Sequence, residues 1–238
     1  METMNVKDPK AIEKVSVPEQ TGRLSEPFTM INLAQIDDLS LSVFLCRGTL
    51  PFHRHLDQDE LFLVYSGTIS LQSDWGSVIL RPGDLAMVPK GLAHRSSSLL
   101  SSLVLLLQPQ LMTNRRNGDR RLFALKNAQT LKKANVSAIG RGIAVPFQPV
   151  LVTDLDTYGV HVAACEGKGP WWKAERQSSL VYCHEGQLAL ESDRGSLSLE
   201  AGELAVVPTA VPYRLSSGRR SLMIGLQRHR VPGLPLDD

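Results

Sequence analysis

Two short segments of this chain carry residues whose types and spacing can do chemistry. In the first, PFHRHLDQDELFLVYSG at 51–67, His53 and His55 stand two apart and Glu60 follows at the head of an apolar run. Residues two apart on an extended strand project from the same face, so the two imidazoles can point together into a barrel interior. Glu60 lies an odd number of positions away. The intervening Leu-Asp-Gln-Asp must therefore be a loop that resets the register and returns the carboxylate inward on the next strand. In the second segment, GDLAMVPKGLAH at 83–94, a Pro-x-Gly turn precedes His94, placing a third imidazole on a neighbouring strand. Three neutral imidazoles and one carboxylate suit one divalent transition metal: iron, manganese, nickel or zinc, with cobalt and copper also accommodated. Such an ion keeps a formal charge of about +1 and two open octahedral positions. Water, dioxygen or a bidentate enolate, catecholate, hydroxy-keto or carboxylate molecule can enter there. The plainer alternative is a hydrogen-bonded core histidine and a surface glutamate. Four metal-binding types at both spacings weigh against it.

The elements that must position these residues read as strands. SLSVFLC, ELFLVYSG, TISLQS, SVILR and LAMVP are short, rich in valine, leucine and isoleucine, and separated by Gly, Pro, Asp or Ser. Leu61, Leu63 and Tyr65 alternate with Phe62 and Val64, and LVLLL at 103–107 is apolar throughout, so both faces of these strands need cover, from another part of the chain or from a second copy. The helical signals are DPKAIEKV, with Asp8 as cap and Pro9 at the first turn, and NAQTLKKA, with Asn127 as cap.

The chain also matches itself at an offset of 119 residues. Cys46 pairs with Cys165, Gly48 with Gly167, Pro51 with Pro170 and Gly67 with Gly186; LQSDWGS pairs with LESDRGS and PGDLAMVP with AGELAVVP. The boundary is expected in TNRRNGDRR at 113–121, giving units of 1–116 and 117–238. Carried through the offset, His53, His55, Glu60 and His94 become Trp172, Ala174, Ser179 and Tyr213. All four ligands are lost. The Trp172 indole is large enough to occupy much of a barrel interior, so the second unit is expected to be a support plugged by aromatics or a modified ligand pocket. His161, Cys165 and His184 have no spacing that supports a replacement metal site.

Together the two segments resemble the paired motifs of the cupin superfamily: glycine, His-x-His, glutamate and glycine, then Gly-x5-Pro-x-Gly-x2-His. Here these are Gly48, His53, His55, Glu60 and Gly67, then Gly83, Pro89, Gly91 and His94. The second motif matches in every spacing. The first is one residue short between Gly48 and His53, and Ser98 stands where the second usually ends in asparagine. The resemblance covers both halves and implies an all-β bicupin: two tandem double-stranded β-helix (jelly-roll) barrels with short helices at the start of each repeat. It implies a metal in the first barrel, on His53, His55, Glu60 and His94. It also brings dioxygenase-type oxidoreductases to the front, since many cupins are dioxygenases. A non-redox isomerase, lyase or decarboxylase would need a separate proton donor, and a small-ligand-binding protein without turnover is the third reading. Asp57, Asp59 and Lys90 are expected to face solvent, and Arg47 and Gln35 are candidates from more distant strands. Phe62, Val64 and Met87 are candidate substrate-binding residues forming an apolar wall beside the metal.

Composition excludes other classes. The apolar fraction of 42% supports a full core, and a net charge of +2 gives no reason to expect nucleic acid or an anionic membrane surface as partner. The arginine clusters at 115–116, 120–121 and 228–230 read as solvated loops. Three cysteines in no close pairing fit reduced thiols in a cytoplasmic protein. METMNVKDPKAIEKV has no signal-peptide core, and no apolar run approaches the roughly 18 residues of a membrane span. The expected partner is a small molecule, with a homodimer left open by the doubly apolar strands.

Overall fold

The computed structural model describes residues 12–109 and 130–228. The first half holds β1 (Lys14–Ser16), α1 (Val17–Thr21), β2 (Met30–Ile36), β3 (Leu39–Thr49), β4 (Glu60–Ser66), β5 (Ile69–Ser73), β6 (Gly76–Leu80), β7 (Asp84–Val88) and β8 (His94–Pro109). The second repeats that order: β9 (Lys133–Asn135), α2 (Val136–Gly142), β10 (Val150–Leu155), β11 (Tyr158–Trp172), β12 (Ser179–Glu185), β13 (Gln187–Ser192), β14 (Gly195–Glu200), β15 (Glu203–Val207) and β16 (Tyr213–Arg228). One eight-stranded sheet runs β2-β3-β8-β4-β7-β9, with β5 and β6 attached through β8; the other runs β10-β11-β16-β12-β15-β1, with β13 and β14 attached through β16. The long strand β8 pairs with β3, β4 and β5 in turn, and its register against β3 slips between Cys46 and Gly48. Gly48 sits at that slip with φ of 85°, a left-handed conformation that glycine adopts without steric cost. No helix among the described residues is long and apolar enough to cross a membrane.

The two sheets exchange their first strands. β1 pairs with β15 through Lys14 opposite Ala205, and β9 pairs with β7 through Lys133 opposite Ala86. Each exchange is pinned by a charge pair: Lys14 with Glu203 at 3.1 Å, and Lys133 with Asp84 at 2.8 Å. The expected boundary at 116–117 lies outside the described residues, yet the exchange shows that neither sheet is built from one half of the chain alone.

The alternating faces are covered as the apolar patterns require. Leu61, Leu63, Leu85, Leu105 and Leu107 meet Leu180, Tyr182, Leu204, Leu222 and Ile224 in a core shared by both halves. Phe62, Val64, Leu71, Val104 and Leu106 fill the first barrel, while Val181, Cys183, Leu188, Leu190 and Leu215 line the second.

The short helices begin later than DPKAIEKV and NAQTLKKA suggest. Lys14 and Val15 are strand, as are Lys133 and Ala134, and the caps are Ser16 and Asn135, whose side chains accept from the backbone N–H groups of Glu19 and Ala138. Asp8, Pro9 and Asn127 lie outside the described residues. Pairing to the opposite sheet overrides helix propensity at 14–16 and 133–135. Ser16-Val-Pro-Glu19 was the cap-x-x-Glu signal to read, with Pro18 in the first turn.

Candidate metal centre

His53 and His94 face each other across an isolated antiparallel bridge, with His53 N–H donating to His94 O at 3.0 Å and His94 N–H to His53 O at 2.9 Å. Gly91 N–H donates to His55 O at 2.6 Å, so the Pro-Lys-Gly turn is tied directly to the His-x-His segment. The loop at 56–59 is also fastened: the buried Gln58 amide donates to Pro109 O, and Asp59 accepts from Lys90 N–H. That loop restores the inward register, and β4 starts at Glu60.

The four side chains converge. One donor atom from each of His53, His55, Glu60 and His94 lies within 4.8 Å of the other three. His55 Nε2 is 3.3 Å from Glu60 Oε1, and His94 Nε2 is 2.9 Å from Glu60 Oε2. Metal–ligand bonds of roughly 2 Å put neighbouring ligands at about such separations. The tautomers suit the task. His53 Nδ1 donates to Pro51 O and His94 Nδ1 to Leu92 O, which leaves each Nε2 lone pair for the shared point. Glu60 Oε2 and His94 Nε2 are close, yet both are buried without a hydrogen bond of acceptable direction. Two orphaned polar atoms facing one point are what a cation would satisfy, so the donor set fits a metal.

Electrostatics agrees. Burial, reinforced by the neighbouring His94, lowers the His53 imidazole below its ordinary value and favours the neutral form a ligand needs; the Pro51 carbonyl and Glu60 oppose this only in part. Burial alone would raise the Glu60 carboxyl. The close His94, followed by His55 and His53, outweighs it and holds Glu60 below the ordinary glutamate range.

A cavity of about 200 Å³ opens beside the cluster, lined by Phe28, Met30, Phe44, Leu50, Phe62, Ser96 and Leu106 together with His53, His55 and Glu60. Of the three expected wall residues, Phe62 lines it, with its ring 5.9 Å from that of His94. Val64 lies farther along the same apolar cluster, and Met87, opposite Leu61 on β7, packs against the core shared between the halves. Arg47 and Gln35 are exposed and donate to Ser25 O and Asp37 O, so neither enters the barrel. Asp57 and Lys90 are exposed as expected, whereas Asp59 is half-buried and also accepts from Asp156 N–H of the other half. Phe28, Met30, Phe44, Leu50, Ser96 and Leu106 also line the cavity, from segments whose sequence carries no signal of a site. Arg54 is 1% exposed beside Asp74. It stands between His53 and His55, so an extended chain turns it to the opposite face.

The equivalent place in the second barrel is not plugged. Trp172 lines, rather than fills, a cavity of about 850 Å³. The cavity is wide because Ala163 and Gly225 stand at the offset positions of Phe44 and Leu106. The Tyr213 hydroxyl lies near the Ser179 side chain. His161 and Cys165 line the cavity, while His184 packs beside Tyr182 and against Gly83 of the first half.

Comparison with known proteins agrees with this fold. Residues 44–99 match the Cupin domain family. A stretch of 86 residues is 26% identical to the uncharacterized protein YdbB of Bacillus subtilis (strain 168), covering 36% of this chain and 76% of that protein. Among solved structures, the Cupin 2 conserved barrel domain protein from Leptotrichia buccalis superposes with a TM-score of 0.68 at 10% identity, over 93% of this chain and 99% of that one. Salicylate 1,2-dioxygenase from Pseudaminobacter salicylatoxidans superposes with a TM-score of 0.69 at 13% identity, over 92% of this chain and 85% of that one. Its adducts with gentisate give 0.68 at 13% identity, over 92% and 82%. Residues 44–99 thus carry a cupin-domain match, the fold as a whole is that of cupin-type structures, and the first barrel holds a three-histidine, one-glutamate group able to bind a metal.

Proposed function

We propose that this protein is a metal-dependent bicupin of the dioxygenase type, with His53, His55, Glu60 and His94 as ligands to one divalent transition metal and a small oxygen-rich organic molecule as substrate. The observation that carries the reading is the lining of the cavity beside the four residues. Apart from them it is apolar but for Ser96, among the described residues. A Lewis-acid isomerase or lyase needs a placed proton donor or acceptor, and this lining supplies no carboxyl, amine or further imidazole. A redox ion held by the four residues would supply oxygen-activating chemistry, for which a separate side-chain acid or base is less necessary.

The chain's own residues then have clear tasks. The His53 and His94 Nε2 atoms, oriented by their Nδ1 hydrogen bonds, together with His55 and the Glu60 carboxylate would hold the ion, which would supply Lewis-acid polarisation of a substrate oxygen. Phe44, Phe62 and Leu106 exclude water and flank a flat body. Ser96 offers a hydroxyl for one polar substituent. A volume near 200 Å³ favours a single ring, such as a hydroxybenzoate, over anything larger.

The test is elemental analysis of protein purified without added metal, followed by oxygen uptake with hydroxybenzoates, catechols and diketones after iron(II) loading. About one metal ion per chain and substrate-dependent uptake are expected. Zinc with no uptake across the panel would overturn the oxygenase assignment and leave the Lewis-acid or binding reading.

A further inference from the structure

We infer that the second barrel is a metal-free binding site for a small, largely apolar molecule bearing a single negative charge, such as an aromatic carboxylate. Its cavity of about 850 Å³ lies in the range of small-molecule pockets and is roughly four times the volume beside the histidine cluster. The enlargement is specific. Where Phe44 and Leu106 narrow the first barrel, Ala163 and Gly225 withdraw side-chain bulk from the second, on neighbouring strands β11 and β16.

The lining sorts into an apolar interior and a basic mouth. Phe147, Trp172 and Leu215 offer flat and aliphatic surface for a ring. Within it, Tyr213, 8% exposed with its hydroxyl near Ser179, can turn that hydroxyl to a ligand oxygen. His161 Nδ1 donates to Gly159 O, which leaves Nε2 as an acceptor. At the mouth, Lys173, Arg176 and Arg228 face a single anion, Glu175. Lys173 pairs with Glu175 at 2.8 Å and Arg228 with Asp38 at 2.5 Å, while Arg176 has no ion pair among the described residues. One cation is thus left over at the entrance to an apolar chamber. That combination selects an apolar body with one acidic group over a neutral or cationic analogue. The four positions that would carry a metal are Trp172, Ala174, Ser179 and Tyr213, so recognition here proceeds without an ion.

The test uses the full chain and three probes of one shape: 1-naphthoate, 1-naphthalenemethanol and 1-naphthylmethylamine, titrated by calorimetry. Naphthoate should bind most tightly and the ammonium most weakly; equal affinities would overturn the charge assignment. Ala163→Phe, which restores the bulk of the first barrel, should weaken naphthoate by more than about tenfold while leaving metal content unchanged. Arg176→Gln should weaken naphthoate by about threefold, as loss of one exposed charge pair does, and leave the alcohol unaffected. Unchanged binding in Ala163→Phe, or binding abolished by His94→Ala, would place the probe elsewhere and overturn the site. Should Ala163→Phe fail to fold, Trp75→Phe with Trp171→Phe leaves Trp172 as the sole indole in an unaltered cavity. Its emission should be quenched at saturating naphthoate, and unquenched emission would overturn the proposal.

Discussion

The two barrels share their backbone down to individual turns and differ in what those turns hold. Gly91 N–H donates to His55 O, and Ala210 N–H makes the equivalent bond to Ala174 O. Ala210 keeps a left-handed φ of 62° where Gly91 has 84°, although alanine pays for that conformation with a Cβ clash. The Ser98–Ser102 pair beneath Thr68 recurs as Ser217–Ser221 beneath Gln187, each at 2.9 Å. Inside, a polar cluster of three imidazoles and a carboxylate is replaced by Trp172, Ala174, Ser179 and Tyr213, and two bulky residues by Ala163 and Gly225. The scaffold is held by hydrogen-bonded turns and by the core between the barrels. The interior of each is therefore free to change chemistry without losing the fold.

The sharpest way to break this comparison is at the ligands. His94→Ala should reduce bound metal by at least about tenfold with little change in circular dichroism, and Trp172→Ala should leave metal content unaltered; equal loss from both would refute a site confined to the first barrel. Next comes the shared core. Leu63→Ala, at a residue 3% exposed, should cost about 3 kcal/mol, and the two barrels should melt in one transition at the lower temperature. Two separated calorimetric transitions would show that the halves are stabilised independently.

A smaller effect sits at the exchanged strands. Asp84 is 5% exposed and accepts from Lys133 and Asn135 of β9, whereas Glu203, its counterpart, is less buried and accepts from Lys14 and from Glu200 N–H. Asp84→Asn should cost about 2 kcal/mol and Glu203→Gln about 1 kcal/mol in denaturant titrations. Burial would raise the Asp84 carboxyl, but Lys133, the Arg81 backbone N–H and Asn135 hold it below the ordinary range. A carboxyl depressed in the folded state stabilises fully above its unfolded value, near 3.9, and loses that as pH falls through the folded value. The gap between wild type and Asp84→Asn should therefore be constant near neutrality and shrink below about pH 4; a gap that widens on acidification would contradict it. The smallest effect is at the turns: Gly91→Ala should destabilise and Ala210→Gly stabilise, each by about 1 kcal/mol.

What could be read from the chain followed from short-range rules. A period of two aligned His53 with His55, four loop residues brought Glu60 inward, and Pro89-x-Gly91 delivered His94. The 119-residue offset showed that the second half lacks all four. The doubly apolar strands announced that both faces would be buried, because alternation of Leu63 with Phe62 and Val64 leaves no polar face for water. Local chemistry of this kind is written into a few consecutive residues and survives without knowledge of their neighbours.

The rest needed the tertiary structure. The exchange of β1 and β9 joins residues far apart in sequence, so no local propensity marks it, and pairing to the other sheet displaced the expected helices. Met87 was placed on the wrong side because its face is set by its pairing with Leu61, not by its distance from a motif. Between a plugged support and a modified pocket in the second barrel the sequence could not choose, because one large side chain, Trp172, is local, whereas free volume is the sum of what every surrounding strand withholds. Ala163 and Gly225 are small residues that mean little in sequence, and only the closure of the barrel around them turns their missing atoms into space.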